Sequence, residues 1–154
     1  IGFIRAAEAL KGSGELAFEH CVQGEILAPA VARVSAGIDR DRVRFTEGDA
    51  CALPEDLGKF DVVHAANLLC RLPDPRAFLA QLPDLVRPGG QLLLATPFTW
   101  LNEFTPSSNW LGDGKKDSFQ DLKILISNHF DFVMFWIFGD PSVLMRDIRP
   151  TDVL

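Results

Sequence analysis

Three polar residues, each of which follows an apolar segment, could bind a ligand at the edge of a sheet. They are Asp49, Asn67 and Thr99. A carboxylate just past a strand can accept a hydrogen bond from the exocyclic amine of adenine, while the next backbone amide donates to a ring nitrogen. Asp49 and Ala50 could supply that pair. The alternative interpretation, that Gly-Asp-Ala only caps a turn, is left open by the spacing.

The composition indicates a globular protein of ordinary size. The chain has 154 residues, of which 47% are hydrophobic and 23% charged, and this balance predicts one domain over residues 1–154. A net charge of -6 argues against nucleic acid as a partner, because such binding depends on clustered lysine and arginine. No apolar run reaches the roughly 20 residues that span a bilayer, so we expect no membrane association.

The cysteines and histidines indicate neither a disulfide framework nor a metal site. Three cysteines are an odd number, and no two of them form a CxxC pair. We therefore expect reduced thiols and a cytoplasmic location. None of the histidines has metal-ligand spacing to another histidine or to a carboxylate pair. The residues in question are Cys21, Cys51, Cys70, His20, His64 and His129.

The first part of the chain predicts one helix and two strands. Apolar residues at helical spacing indicate a helix over residues 1–11, and the glycines that follow end it. Residues 15–22 favour a short strand, whereas the alanine-rich residues 26–34 are interpreted as an insertion rather than a member of the sheet. Residues 42–48 alternate between apolar and polar side chains, which predicts a strand that ends in Gly-Asp.

The middle of the chain predicts a strand, a helix and a second strand. Residues 60–66 are typical of a mostly buried strand, and Asp74-Pro75 begins a helix with proline in its first turn. The sequence RPGG at residues 87–90 ends that helix, and the apolar residues 91–96 predict a parallel strand covered on both faces. The apolar stripe of the helix is formed by Phe78, Leu79, Leu82, Leu85 and Val86. Together these elements form a crossover unit of an α/β sheet.

The last part of the chain predicts one more helix and two strands. Residues 118–128 suit a helix, whose inward residues are Phe119, Leu122, Leu125 and Ile126. Residues 131–138 predict a strand, and residues 142–148 predict another that pairs antiparallel at or near an edge. In such sheets a ligand binds beyond the carboxyl ends of the strands, where the three polar residues stand.

Several segments resemble the later half of class I S-adenosylmethionine-dependent methyltransferases. They are residues 43–49, residues 60–67 and the sequence LVRPGGQLLL at residues 85–94. A narrower resemblance is carried by TPFTWLNEFTPSSNWLG at residues 96–112, ANLLCR at residues 66–71 and FIRAA at residues 3–7. These runs are similar to the 4-mercaptohistidine N1-methyltransferase family of ovothiol biosynthesis, and the similarity covers nearly the whole chain.

The resemblance implies a Rossmann-like α/β three-layer sandwich and S-adenosylmethionine as the cofactor. It also implies a small thiohistidine-type acceptor and a fusion or partnership with an iron-dependent sulfoxide synthase domain. Asp49 and Ala50 would hold adenine, and Ala66 with Asn67 would line the methionine end of the cofactor and the transfer site. Methyl transfer to an imidazole nitrogen is an in-line displacement, in which positioning and desolvation carry most of the acceleration.

The resemblance also implies a wall and lid over the acceptor. The residues concerned are Arg71, Thr99, Trp100, Glu103, Thr105 and Trp110. Glu103 would accept a hydrogen bond from the ammonium or the ring N–H of the substrate and, with Asn67, act at the transfer site. Arg71 would pair with the carboxylate of the substrate. Trp100 and Trp110 would close the pocket and face the sulfonium. The alternatives are that the tryptophans plug the sheet end and that the charged residues form surface ion pairs.

The chain departs from the family pattern in two ways. Family members tend to carry tyrosine where Phe98 or Phe104 stands, and this chain has no tyrosine. The first strand, the glycine-rich loop and the acidic residue that holds the ribose are missing, and a final strand is expected after Leu154, so we expect a fragment of a longer enzyme. A non-catalytic remnant or binding module stays open. A nicotinamide-dependent enzyme would need a GxGxxG sequence that does not occur here.

Overall fold

The structure of the chain is a computed structural model that describes residues 2–112, 116–132, 136–137, 144–145 and 147–150. Backbone contacts divide it into two compact units, Ile1–Gly48 and Asp49–Leu154. Each unit has its own secondary structure. The single domain expected over residues 1–154 stays a prediction.

The first unit begins with helix α1 (Gly2–Ser13). Gly14 follows it with a φ of 80°, and its N–H donates to the carbonyl of Leu10 at 2.9 Å. A left-handed glycine is a common end for a helix, because it satisfies a carbonyl that has no partner within the helix. The helix predicted over residues 1–11 is confirmed, and it extends to Ser13.

A β-hairpin follows α1. It consists of β1 (Glu15–Gln23) and β2 (Ile26–Arg33), which pair antiparallel and form a two-stranded sheet of their own. The strand predicted over residues 15–22 is confirmed. Residues 26–34, interpreted as an insertion rather than a member of the sheet, form the strand β2 of this separate two-stranded sheet. Alanine is depleted in strands, but β2 pairs with β1 along its length, and this pairing overrides the residue preference.

Residues 42–48 were predicted to form a strand, and this prediction is wrong. Arg40–Arg42 is a short 3-10 helix whose N-cap is Asp39, and the Asp39 carboxylate accepts from the N–H of Asp41 at 3.1 Å. Residues 43–49 have no regular secondary structure. An alternating segment becomes a strand only beside a backbone that pairs with it, and no strand in the described part of the chain does so here.

The second unit contains a four-stranded sheet. Its strands, in spatial order, are β3 (Phe60–Ala66), β4 (Val86–Ala95), β8 (Asp147–Pro150) and β5 (Phe130–Phe132). β3 and β4 are parallel, and β8 is antiparallel to both β4 and β5. Two further strands, β6 (Trp136–Ile137) and β7 (Leu144–Met145), pair with each other.

The strand predictions for this unit have mixed outcomes. The strand over residues 60–66 is confirmed, but the expectation that it is mostly buried is wrong, because Ala65 is its one buried residue. Residues 147–148 of the strand predicted over residues 142–148 belong to β8, which is antiparallel and lies next to the edge strand β5, whereas residues 144–145 belong to β7 in a different sheet. Residues 131–138 are not one strand in the structure, since β5 and β6 belong to different sheets. The rest of the predicted ranges 131–138 and 142–148 lies partly outside the described residues.

Helix α2 (Pro75–Leu85) connects β3 to β4. Its N-cap is Asp74, whose carboxylate accepts from the N–H groups of Arg76 at 3.0 Å and Ala77 at 3.1 Å. Pro75 stands in the first turn, where its missing N–H leaves no helical bond unmade. The helix start predicted at Asp74-Pro75 is therefore confirmed.

The start of β4 lies at Val86 rather than at residue 91. The RPGG sequence of residues 87–90 interrupts the ladder between β3 and β4, since the register shifts across it. A Cβ on Gly90 would lie 2.9 Å from the carbonyl oxygen of Asp61 on β3, so only glycine allows this approach. These glycines therefore do more than end α2, because they bring two backbones together.

Helix α3 (Ser118–Ser127) shares one hydrophobic core with α2 and the sheet. Its N-cap is Asp117, which accepts from the N–H of Gln120 at 2.7 Å, and the helix predicted over residues 118–128 is confirmed. The buried core includes Ala65, Phe78, Leu79, Leu82, Leu92, Leu94, Leu122, Ile126 and Phe130. Burial of each large apolar side chain contributes about 1.5–3 kcal/mol to stability.

The parallel strands joined by a helix make this unit a partial Rossmann-like α/β fold, as the sequence predicted. Alternate residues of β3 point away from the core, and Val62 is 49% exposed on that side. No helix within the described ranges is long and apolar enough to cross a membrane.

Candidate functional site

The carboxyl ends of β3 and β4 lie side by side. The last residues of these parallel strands, Ala66 and Ala95, are in register. The N–H of Asn67 donates to the carbonyl of Ala95 at 2.7 Å and continues the contact past the strand. The segments that follow the two strands therefore start from the same edge of the sheet, which is where ligands of such sheets bind.

Two residues at this edge have left-handed backbones. Asn67 has a φ of 54°, and Phe98, three residues after β4, has a φ of 50°. Asparagine tolerates this conformation, but a bulky side chain rarely adopts it, and such strain costs about 1–3 kcal/mol. Strained backbone is concentrated at functional sites. No sequence pattern indicates the left-handed backbone at Phe98, because phenylalanine has no preference for a positive φ.

Arg71 joins the segments that leave the two strands. It lies in a short 3-10 helix, Leu69–Arg71, after β3. Its Nη1 donates to the carbonyl of Thr99 at 2.8 Å and to that of Cys70 at 2.9 Å. Its guanidinium also lies 5.1 Å from the ring centre of Phe104. The structure thus brings the predicted residues Arg71 and Thr99 together, and the pairing of Arg71 with a carboxylate stays a prediction.

Trp100 and Trp110 form a stacked pair. Their ring centres are 6.5 Å apart and their planes differ by 17°. The Nε1 of Trp100 donates to Ser118 Oγ at 2.8 Å, and the Nε1 of Trp110 donates to the carbonyl of Thr105 at 2.8 Å. Both indole N–H groups are therefore engaged within the protein. A ligand could contact only the ring faces of this pair.

Thr105 is fully buried. Its hydroxyl donates to the carbonyl of Leu72 at 2.7 Å, and its N–H donates to the carbonyl of Leu101 at 3.0 Å. A hydroxyl in this position holds the Trp-containing loop against the segment after β3. The contact of Thr105 with the methyl acceptor stays a prediction. The two hydrogen bonds of Thr105 give it a structural role in the loop.

Glu103 lies exposed in the turn of residues 102–104. In the part of the chain that the structure describes, its carboxylate has no hydrogen bond or ion pair, so it is open to a ligand. Thr99 is exposed as well, although its carbonyl accepts from Arg71. The exposed rim of the loop therefore contains Thr99 and Glu103, whereas its interior contains the tryptophans and Thr105.

The far end of the loop is fixed by a residue that the sequence did not single out. Asp121, on α3, accepts from the N–H of Gly112 at 2.9 Å and forms an ion pair with Arg76 of α2. Gly112 has a φ of 94°, and a Cβ there would lie 2.7 Å from the carbonyl oxygen of Lys116. No sequence pattern indicates the ion pair, because Arg76 and Asp121 are 45 residues apart.

The turn that begins at Asp49 has the geometry of a cap. The carboxylate of Asp49 accepts from the N–H of Cys51 at 2.8 Å, and its carbonyl accepts from the N–H of Ala52 at 3.1 Å. The capping role that the sequence left open is therefore present. It does not exclude a ligand, because a carboxylate has about four lone-pair sites. Asp49 and Ala50 as adenine contacts stay a prediction.

The sequence is similar to known methyltransferases. The profile of the methyltransferase domain family matches residues 2–94. A ubiquinone biosynthesis O-methyltransferase from Azotobacter vinelandii is 36% identical over 100 residues, which cover 62% of this chain and 40% of that protein. A 27-O-demethylrifamycin SV methyltransferase from Amycolatopsis mediterranei is 30% identical over 94 residues, which cover 54% of this chain and 35% of that protein.

A third relative has a higher sequence identity over a shorter segment. Methyltransferase str2 from Strobilurus tenacellus is 46% identical over 41 residues, which cover 27% of this chain and 15% of that protein. The chain therefore spans two fifths or less of the length of these relatives. The predicted class I methyltransferase resemblance is confirmed, whereas the narrower ovothiol resemblance stays a prediction. Since the family profile covers more than half of its residues, the chain belongs to the methyltransferase domain family.

Proposed function

We propose that the chain is part of an S-adenosylmethionine-dependent N-methyltransferase that acts on a small thiohistidine-type acceptor in ovothiol biosynthesis. The supporting observation is the hydrogen bond from the Arg71 guanidinium to the carbonyl of Thr99, which joins residues 66–71 to residues 96–112. These two segments carry the narrower resemblance, and both leave the carboxyl edge of the sheet. An iron-dependent sulfoxide synthase, fused or separate, would supply the thiohistidine.

The turn at Asp49 and Ala50 has a donor and acceptor set that fits adenine. Asp49 uses one carboxylate oxygen on Cys51, which leaves the other for a ligand. The N–H of Ala50 has no acceptor among the described residues. An acceptor beside a donor matches the amine and the neighbouring ring nitrogen of adenine. Ala66 and Asn67, at the end of β3, are assigned to the methionine end of the same cofactor.

Glu103 and Arg71 are assigned to the acceptor. S-adenosylmethionine supplies an electrophilic methyl group when it is bound. The carboxylate of Glu103 would accept the ring N–H of the acceptor, so that the other ring nitrogen presents its lone pair for in-line attack. The described bonds of Arg71 use Nη1 and Nη2, which leaves Nε–H for the carboxylate of the acceptor. The Trp100 and Trp110 faces would exclude water.

A second candidate is methyl transfer to a hydroxyl oxygen. It is favoured by the similarity to a ubiquinone biosynthesis O-methyltransferase. In that case the exposed carboxylate of Glu103 would act as the general base, because a hydroxyl must lose its proton as the new bond forms. The two candidates differ in the methyl acceptor and in the role of the Glu103 carboxylate, which accepts a hydrogen bond in the first and a proton in the second.

Calorimetry and methyl transfer assays separate these possibilities. We expect S-adenosylhomocysteine to bind the chain, and we expect methyl transfer to 4-mercaptohistidine to exceed transfer to histidine and to a catechol. Preference for the catechol would support the second candidate. Failure of S-adenosylmethionine and S-adenosylhomocysteine to bind either this chain or a form extended upstream would contradict the enzyme proposal and leave a non-catalytic relative of the fold.

The acceptor roles can be tested with two variants. Glu103→Gln retains the shape of the side chain and can still accept through its amide oxygen, so a tautomer-fixing role predicts a partial loss of activity. A general base cannot be replaced by an amide, so the second candidate predicts a loss of roughly 100-fold or more. Gln120→Met on the exposed face of α3 is the control, and its activity should equal that of the wild type.

A further inference from the structure

Gln81 is a half-buried residue on α2 whose side-chain amide makes three hydrogen bonds. Its Oε1 accepts from the N–H of Leu53 at 2.9 Å. Its Nε2 donates to the carbonyl of Ala50 at 3.2 Å and to that of Ala77 at 2.8 Å. Both hydrogens of the amide group and one lone pair of its oxygen are therefore engaged. Such an arrangement fixes the rotamer of Gln81 and the two backbone groups it contacts outside α2.

The two distant partners of Gln81 bracket the turn of residues 50–53. The hydrogen bonds that Asp49 accepts from the N–H groups of Cys51 and Ala52 are local to this turn. The turn is not part of a strand and cannot take its position from a sheet ladder. Its hydrogen bonds to distant residues reach α2 through Gln81 and the N-cap of α2 through the thiol of Cys51, which lies 3.3 Å from the carbonyl of Asp74. A thiol is a weak donor, so the amide is the stronger of these ties.

We infer that Gln81 is a positioning residue for the turn that binds the adenine of the cofactor. The inference rests on the proposed function, because that function assigns Asp49 and Ala50 to adenine. Gln81 holds the carbonyl of Ala50, and the N–H of the same residue is the proposed adenine donor. A turn that is already fixed before the cofactor binds loses less conformational freedom on binding, and this increases affinity.

The surroundings of Gln81 decide which substitution is informative. Gln81 lines a cleft of about 530 Å³ together with Leu53, Pro54, Glu55, Leu57, Gly58, Lys59, Asp84 and Leu85. Truncation to alanine would enlarge this cleft and admit water, so lost packing and lost hydrogen bonds could not be separated. Gln81→Met keeps the length of the side chain and removes every hydrogen bond. Gln81→Glu keeps an acceptor for Leu53 and removes the donor to Ala50.

Hydrogen exchange tests the positioning role without the cofactor. In Gln81→Met we expect the exchange of the Leu53 amide to rise roughly tenfold, since one hydrogen bond contributes about that factor. In Gln81→Glu this amide should stay protected. Gln120→Met, the same change at an exposed position of α3, should leave it unchanged. Unaltered exchange at Leu53 in Gln81→Met would overturn the inference.

Cofactor affinity tests the link to adenine. In Gln81→Met we expect the Kd for S-adenosylhomocysteine and that for adenosine to rise by the same factor, roughly tenfold, because both ligands contain adenine. The KM for S-adenosylmethionine should rise while kcat changes less than about twofold. A variant with faster exchange and unchanged Kd values would overturn the link to adenine. If neither the wild-type chain nor a form extended upstream bound either ligand, the proposed function would fail, and the exchange result would still decide whether Gln81 positions the turn.

Discussion

The loop of residues 96–112 and the turn of residues 49–53 both lie past apolar segments, and the loop has more hydrogen bonds to residues outside itself than the turn has. The loop is anchored by buried or half-buried hydrogen bonds that include those of Trp100, Thr105 and Trp110. The turn is exposed at Asp49, and its ties to distant residues are few. Length and lack of periodicity are therefore poor guides to how firmly a segment is anchored, because the longer segment has more hydrogen bonds to the rest of the unit.

The strongest test of this contrast is the replacement of an anchoring tryptophan. Trp100→Ala removes a ring that packs against the core and donates to Ser118, so we expect a loss of about 3 kcal/mol in the free energy of unfolding. Urea denaturation measures it. Leu101→Ala, at a residue that is 45% exposed, should cost less than about 1 kcal/mol. Equal losses in the two variants would mean that the loop is not anchored as described.

The buried hydroxyl of Thr105 gives the next largest effect. Thr105→Val leaves the carbonyl of Leu72 without its donor in a fully buried place, and we expect a loss of about 1–3 kcal/mol. Thr99→Val is the matched control, because the Thr99 hydroxyl is exposed and lies at 3.4 Å from its nearest donor. Thermal unfolding compares the two variants. A Thr105→Val protein as stable as Thr99→Val would contradict the supporting role of this hydroxyl.

The ion pair at the end of the loop should have a smaller effect. Asp121→Asn keeps an acceptor for Gly112 but removes the charge opposite Arg76, and we expect a loss of about 1 kcal/mol that shrinks in high salt. Asp61→Asn removes the charge opposite Arg87 in an exposed ion pair, in which the Asp61 side chain is 81% exposed and the Arg87 side chain 56% exposed. This variant should lower the free energy of unfolding by about 0–0.5 kcal/mol. Denaturation at low and high salt separates the pairs. A larger loss for Asp61→Asn would reverse the expected order.

The turn should show the smallest effect on stability and a larger one on binding. Asp49→Ala removes one exposed local bond, so the free energy of unfolding should change by less than about 0.5 kcal/mol. The affinity for S-adenosylhomocysteine should fall by about 1.5–3 kcal/mol, as for loss of a hydrogen bond to a charged group. Calorimetry measures both quantities. If stability fell and affinity did not, Asp49 would be only the cap of a turn.

Local features of the fold were predictable from the sequence, whereas two segments whose structure depends on pairing, residues 42–48 and β2, were not. The start of α2 follows from Asp74 and Pro75, which satisfy and shape the first turn without help from distant residues. Residues 42–48 have a strand pattern, but no described backbone pairs with them. The hairpin strand β2 shows the converse, because pairing makes a strand of an alanine-rich run.

The candidate site divides along the same line. The loop sequence shows which residue types are available at the site, and the resemblance predicts which of them act there. The ion pair between Asp121 and Arg76 could not be predicted, since the two residues are 45 positions apart. The hydrogen bonds of Gln81 to Leu53 and Ala50 span 28 and 31 positions, and they involve backbone groups that carry no sequence signal. Phe98 was considered only for its missing hydroxyl, and the structure adds its left-handed backbone.

The stacked pair of Trp100 and Trp110 makes the loop observable by optical means. Two of the three tryptophans of the chain form this pair, with ring centres 6.5 Å apart. Indoles this close and nearly parallel couple their electronic transitions, and the coupling falls with the cube of their separation. A circular dichroism signal from this coupling would therefore report the closed arrangement of the loop in the unlabelled protein. Its loss on heating, before the core unfolds, would measure the opening of the loop by itself.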